Sequence, residues 1–94
     1  MPMLSADTQT LGEQVFKQVG ELVDAWCERR CLNALRFVLQ GWPLSNLLTD
    51  GWGDLLKALE NVRTFAAKEL TEQDAQKLAD SIVKATKIVY RTSR

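Results

Sequence analysis

The stretch Gly41-Trp42-Pro43-Leu44-Ser45-Asn46-Leu47-Leu48-Thr49-Asp50-Gly51-Trp52-Gly53 decides whether this chain is a bundle of helices or a scaffold for a binding loop. It holds two of the three tryptophans, three of the five glycines and one of the two prolines. Two indoles at the rims of a loop could clamp a flat ligand or a partner's apolar side chain. The phase of the flanking residues favours a corner instead. At about 100° per residue, Trp42 falls in line with Leu35, Val38 and Leu39, and Trp52 with Leu55 and Leu59. Gly41 suits a helix C-cap, Pro43 cannot continue a helix, and Thr49 or Asp50 suits the next N-cap. Leu47 and Leu48 would plug the gap beneath.

Upstream of the corner, Leu11, Val15, Phe16, Val19, Leu22, Val23 and Trp26 share one helical face, with Glu13, Lys17, Glu21, Asp24 and Glu28 opposite. Thr10 and Glu13 have the spacing of a capping box. Gly12 lies on the apolar face, where its missing side chain would let another helix approach. Residues 1–8 are expected to form a flexible leader. The period fails at Arg29 and Arg30, which would point into the apolar face, so the helix is expected to end or kink there. From Leu32 a new stripe begins: Leu32, Leu35, Val38, Leu39 and Trp42.

Downstream, Trp52, Leu55, Leu56, Leu59, Val62 and Ala66 line a third helix, with Arg63 at the edge of its apolar face. The fourth has the clearest start. Thr71 with Asp74 three residues on forms a capping pair, and Leu70 with Ala75 a weak hydrophobic staple. Ala75, Leu78, Ala79, Ile82, Val83, Ala85, Val89 and Tyr90 make its predicted apolar face. The expected fold is an all-α compact bundle of four helices, at about 10–30, 32–41, 50–68 and 72–91, or three long and one short. No strand pattern and no repeat interrupts it. At 94 residues, the chain is read as a single helical domain.

Composition narrows the chemistry. There is no histidine, which removes imidazole-based triads, imidazole zinc ligands and histidine acid–base catalysis. Cys27 and Cys31 flank two arginines that could activate a thiol, yet without a histidine base a cysteine enzyme is the poorest reading. Two small residues at the core edge explain them more simply. The two thiols alone are too few for a structural zinc site. No metal, no cofactor and no enzymatic activity are expected. Twelve basic and twelve acidic residues give zero formal charge, so no global field steers the chain to nucleic acid or to an anionic membrane. No apolar run approaches the length of a transmembrane helix. With no export signal at the N-terminus, the expected location is cytoplasmic.

Surplus apolar surface points to protein binding. Phe16, Phe37, Phe65, Ile88 and Tyr90 sit at stripe edges or beyond, and clustered exposed apolar residues mark interfaces. Self-association as a homodimer covers such residues most simply. Phe37, Trp42, Trp52 and Ile88 are the expected interface. The alternative is a nucleic-acid-binding or regulatory protein, with Arg29, Arg30, Arg36, Lys87 and Arg91 contacting an anion or phosphate backbone, and Arg63 a further candidate. Salt bridges from the arginines to Asp24, Glu28 and Glu60 are the simpler account of that group.

Overall fold

The computed structural model describes the backbone of residues 2–43 and 49–92 and the side chains of residues 11–43 and 51–90. It is an all-α four-helix bundle: α1 (Pro2–Arg29), α2 (Leu32–Val38), α3 (Thr49–Phe65) and α4 (Glu72–Thr92), with a 3-10 turn at Ala67–Glu69. No strand occurs among the described residues. Around the ring, α1 packs on α4, α4 on α3, α3 on α2 and α2 on α1. At about 1.5 Å per residue, the 28 residues of α1 account for the molecule's 42 Å long axis.

Helices α1 and α4 run antiparallel. Arg29 meets Asp74, Glu21 meets Lys77, and Gln18 meets Asp80 and Ser81, so α4 ascends as α1 descends. The core is a continuous cluster of Val15, Val19, Leu22 and Trp26 from α1, Ala34 and Val38 from α2, Leu55, Leu59 and Val62 from α3, and Leu78, Ile82 and Ile88 from α4. The stripes expected on α1 and α3 supply most of it.

Three helix boundaries have an identifiable cause. The chain breaks after Arg29 through a Schellman motif. Arg30 adopts φ 58°, its N–H reaches the Cys27 carbonyl at 3.3 Å, and the Cys31 N–H reaches the Trp26 carbonyl at 2.8 Å. The expected end at Arg29–Cys31 is therefore a true reversal. At the start of α4, the Asp74 N–H donates to Thr71 Oγ1 (3.0 Å) and the Thr71 N–H to the Asp74 carboxylate (3.2 Å), the reciprocal box read from the sequence. Helix α2 has no side-chain cap of its own. Glu69, 35 residues downstream, accepts the Ala34 N–H at 2.9 Å and the Asn33 N–H at 3.4 Å, satisfying two orphan donors across the chain.

Several boundaries differ from expectation. α1 begins at Pro2, so Thr10 lies inside the helix and the segment expected as a leader is helical from residue 2. α2 stops at Val38 and α3 at Phe65, short of 41 and 68. Gly41 is not a left-handed cap, since no described glycine has positive φ. Its role is close approach: a Cβ there would lie 2.6 Å from the Asp54 carbonyl oxygen and 2.8 Å from the Leu55 Cα. Leu47 and Leu48 lie outside the described residues, as do the side chains of Thr10, Thr49 and Asp50.

Candidate interaction surface

The aromatic corner runs from the core to the surface, with Phe16 36% exposed. Trp52 is buried and Trp42 half-buried, with Phe16 of α1 between them at ring-centroid distances of 5.7 and 5.4 Å. Gly12 makes room for this: a Cβ there would lie 3.3 Å from the Trp52 ring. Helix α2 spans seven residues, about 10 Å by helical rise. It is too short to cover the upper part of α1, and the three rings fill the space above it. The corner reading of the opening stretch is the structural one, and the four residues expected at the interface divide accordingly. Ile88 is 0% exposed and belongs to the core, as does Trp52. Phe37 is half-buried and stacks on Phe65 with centroids 5.5 Å apart.

The displacement of Ile88 has a physical cause. The buried face of α4 comprises Asp74, Leu78, Ser81, Ile82, Ala85 and Ile88. Two of these six are polar, and each has inward partners. Trp26 Nε1–H donates to Asp74 at 3.1 Å, and the Ser81 hydroxyl lies 3.1 Å from Gln18 Oε1 and 2.9 Å from the Lys77 carbonyl. Of the expected face, Leu78, Ile82 and Ala85 are buried and Val89 packs against the core, while Ala75, Ala79, Val83 and Tyr90 face outward, so the buried face is turned part of the way toward Asp74, Ser81 and Ile88.

The basic residues do not gather. The Arg29 guanidinium is bound to the Asp74 carboxylate rather than to Asp24, Glu28 or Glu60. That hydrogen bond, with the nearby charge, raises the Arg29 pKa above its ordinary value despite desolvation. Burial pushes the Asp74 carboxyl up, but hydrogen bonds from Arg29, the Thr71 backbone and Trp26 outweigh it, and the pKa is lowered. The cleft between the end of α1 and the start of α4 is lined by both residues and by Lys77, whose ammonium is taken by Glu21. Arg30, Arg36 and Arg63 are exposed on α1's end, α2 and α3. Lys87 lies near the C-terminal end of α4, which the antiparallel pairing carries to the opposite end of the bundle from Arg29. The Arg91 side chain is outside the described residues.

The thiols separate as well. Cys31 is buried, 3.7 Å from the Glu69 carbonyl oxygen, while Cys27 is exposed. The left-handed residue between them takes them off a common helical face. Among the described residues, no cluster of three or more Cys, Asp or Glu side chains could hold a metal ion. No helix among them is long and apolar enough to cross a membrane.

Large apolar side chains that do face solvent are Phe16 (36% exposed) on α1, Leu32 (69%) on α2 and Leu39 (52%) at its C-cap, Phe65 on α3, and Val83 and Tyr90 on α4. Leu32 and Leu39 are seven residues apart, two turns on one flank. The sequence placed both in the core stripe of α2. The buried face instead centres on Ala34 and Val38, which leaves the two leucines outside, with Leu35 half-buried beside them. Comparison with protein-family models, with curated proteins and with solved structures finds no match to this chain. The class defined by fold and surface is a small all-α bundle with an apolar helix flank open to solvent.

Proposed function

We propose that this protein is a small, non-enzymatic protein-interaction or adaptor-type bundle that self-associates in the cytoplasm. The observation that supports this is the exposure of Leu32 and Leu39 together on one flank of α2. A bundle of this size buries limited apolar surface by itself and gains from a partner. Two leucines side by side are costly to leave wet, at about 25 cal/mol for each Å² of apolar surface that association could bury. Leu32 opens and Leu39 closes a helix that is itself capped from elsewhere in the fold, so the flank is presented on a fixed element.

The test is the mass in solution by light scattering on a sizing column with reductant, at two protein concentrations and two salt levels. The expected result is a mass that rises toward twice that of the chain with concentration and persists at the higher salt. A constant single-chain mass under all conditions contradicts the proposal. The alternative, nucleic-acid binding through Arg29, Arg30, Arg36, Lys87 and Arg91, is less favoured because Arg29 is already paired and Lys87 lies at the far end. Retention of nucleic acid that falls steeply with salt, and that Ala substitution of Arg30 and Arg36 abolishes, would favour it instead.

A further inference from the structure

We infer that the self-associating surface is the flank where α1 meets α2, and that its occupant is a second copy of this chain in a two-fold arrangement whose axis runs parallel to those helices. This rests on the self-association reading above and adds the surface, the partner's orientation and the residues that fix it.

The face is identified by elimination around each helix. On α1, Gln18 and Arg29 point to α4 through Asp80 and Asp74. Phe16 and Gly20 therefore lie toward α2, as the Phe16–Trp42 ring contact and the 3.9 Å from a Gly20 Cβ to the Trp42 ring require. On α2, Phe37 points to α3 through Phe65, so Leu35 and Leu39 lie on the flank toward α1. Between them the two helices present an apolar strip of Leu32, Leu35 and Leu39 beside Val23 and the exposed Cys27.

Charge borders this strip with opposite sign on its two edges. Arg36 is the sole charged residue of α2; it is exposed, with its guanidinium 5.9 Å from the Phe37 ring centroid. On the α1 edge stands the exposed Asp24. Neither has an ion-pair partner among the described residues. The two stand at the same height. The chain reverses at Arg30, and Asp24 is six residues before it and Arg36 six after. At about 1.5 Å per residue, each is roughly 9 Å up its helix from the turn. The contact of Phe16 with Trp42, just beyond the end of α2, is in keeping with α2 climbing beside α1.

A two-fold axis parallel to the helices sets the α1 edge of one copy against the α2 edge of the other at equal height. Asp24 of each copy then faces Arg36 of the other, twice, with the leucines between. An axis across the helices sets α1 on α1 and opposes acid to acid. Charge complementarity therefore selects both the occupant and its orientation.

The experiment is a charge swap read by sedimentation equilibrium. Asp24→Arg alone brings two arginines together at both edges, and Arg36→Asp alone brings two aspartates together. Each single variant is expected to weaken self-association at least about tenfold, as facing like charges do. An equimolar mixture of the two restores Arg–Asp pairs at both edges, so the mixture is expected to associate where neither variant does alone. Circular dichroism melts check that each variant is folded. Asp24→Asn and Arg36→Gln provide milder variants, expected to weaken association without reversing charge. If the unaltered chain associates but the single variants do so equally, or the mixture is no stronger than its parts, this surface is wrong while self-association stands. If the unaltered chain stays single at every concentration, the underlying reading fails.

Discussion

The Arg29 guanidinium and the Asp74 carboxylate join the last residue of α1 to the first turn of α4. The same carboxylate accepts the buried Trp26 indole N–H and caps α4 through the Thr71 N–H. One side chain thus closes the lower end of the bundle, satisfies a core donor and starts a helix.

Replacing Asp74 with Ala leaves the Thr71 hydroxyl capping the backbone N–H of residue 74 but removes the carboxylate that accepts the Thr71 N–H, worth about 1 kcal/mol, and orphans the Trp26 N–H, at roughly 1–3 kcal/mol. The expected loss is about 2–4 kcal/mol. For a domain of this size each kcal/mol moves Tm by roughly 4–8 °C. A thermal melt by circular dichroism should show a fall of about 8 °C or more, the lower end of what those figures combine to. A shift within a degree or two would remove Asp74 from this role.

Acid acts on the same group. The native pKa of Asp74 is lowered below the ordinary value of 3.8, and that of Asp80 is lowered by the hydrogen bond from Gln18 and then by Lys84. Each carboxyl binds its proton less tightly in the folded chain than in the unfolded one. Their stabilisation is therefore complete above the ordinary aspartate range and is lost as pH falls through the lower native values. Tm should hold from neutrality to about pH 5 and drop below about pH 4. Asp74→Asn should make that drop shallower; an unchanged acid limb would assign it to other carboxylates.

Arg30 carries a side chain in the left-handed region, φ 58°, at a helix end where glycine is the usual residue. Its N–H and that of Cys31 keep their bonds whatever the side chain. Arg30→Gly should stabilise by about 1 kcal/mol, the strain of a non-glycine in that region. Equilibrium urea unfolding gives the comparison at constant m-value.

Two glycines should respond in opposite directions. At Gly41, an added methyl meets the backbone of Asp54 and Leu55, which cannot rotate away. Gly41→Ala should cost at least about 2 kcal/mol, in the range for overpacking a close site. At Gly53, within α3, a Cβ meets nothing within 4 Å. Gly53→Ala should stabilise by roughly 0.5–1 kcal/mol through helix propensity. Parallel urea titrations decide both, and equal effects would place the α2–α3 corner elsewhere.

What was legible in the sequence followed from local regularity. The α1 stripe of Val15, Val19, Leu22 and Trp26 spans enough turns to fix its phase, and Thr71 with Asp74 is a cap written within four residues. Helix α2, at seven residues, is too short for its period to separate the buried Ala34 and Val38 from the exposed Leu32 and Leu39. The phase of α4 was obscured because Asp74 and Ser81 occupy core positions, their polarity matched by partners 45 to 63 residues away. Glu69 capping α2 is equally invisible locally. The surface follows the phases: Ile88 lies in the core, and Leu32 and Leu39 face solvent.

The most direct measurement is sedimentation equilibrium of the unaltered chain beside Leu32→Ser and Leu39→Glu, with reductant present. Both leucines are largely exposed, so both variants should keep the helical signal and melt of the unaltered chain. The account predicts that the unaltered chain gains mass with concentration while both variants stay single. Variants that associate as strongly as the unaltered chain, or an unaltered chain that never associates, would contradict it.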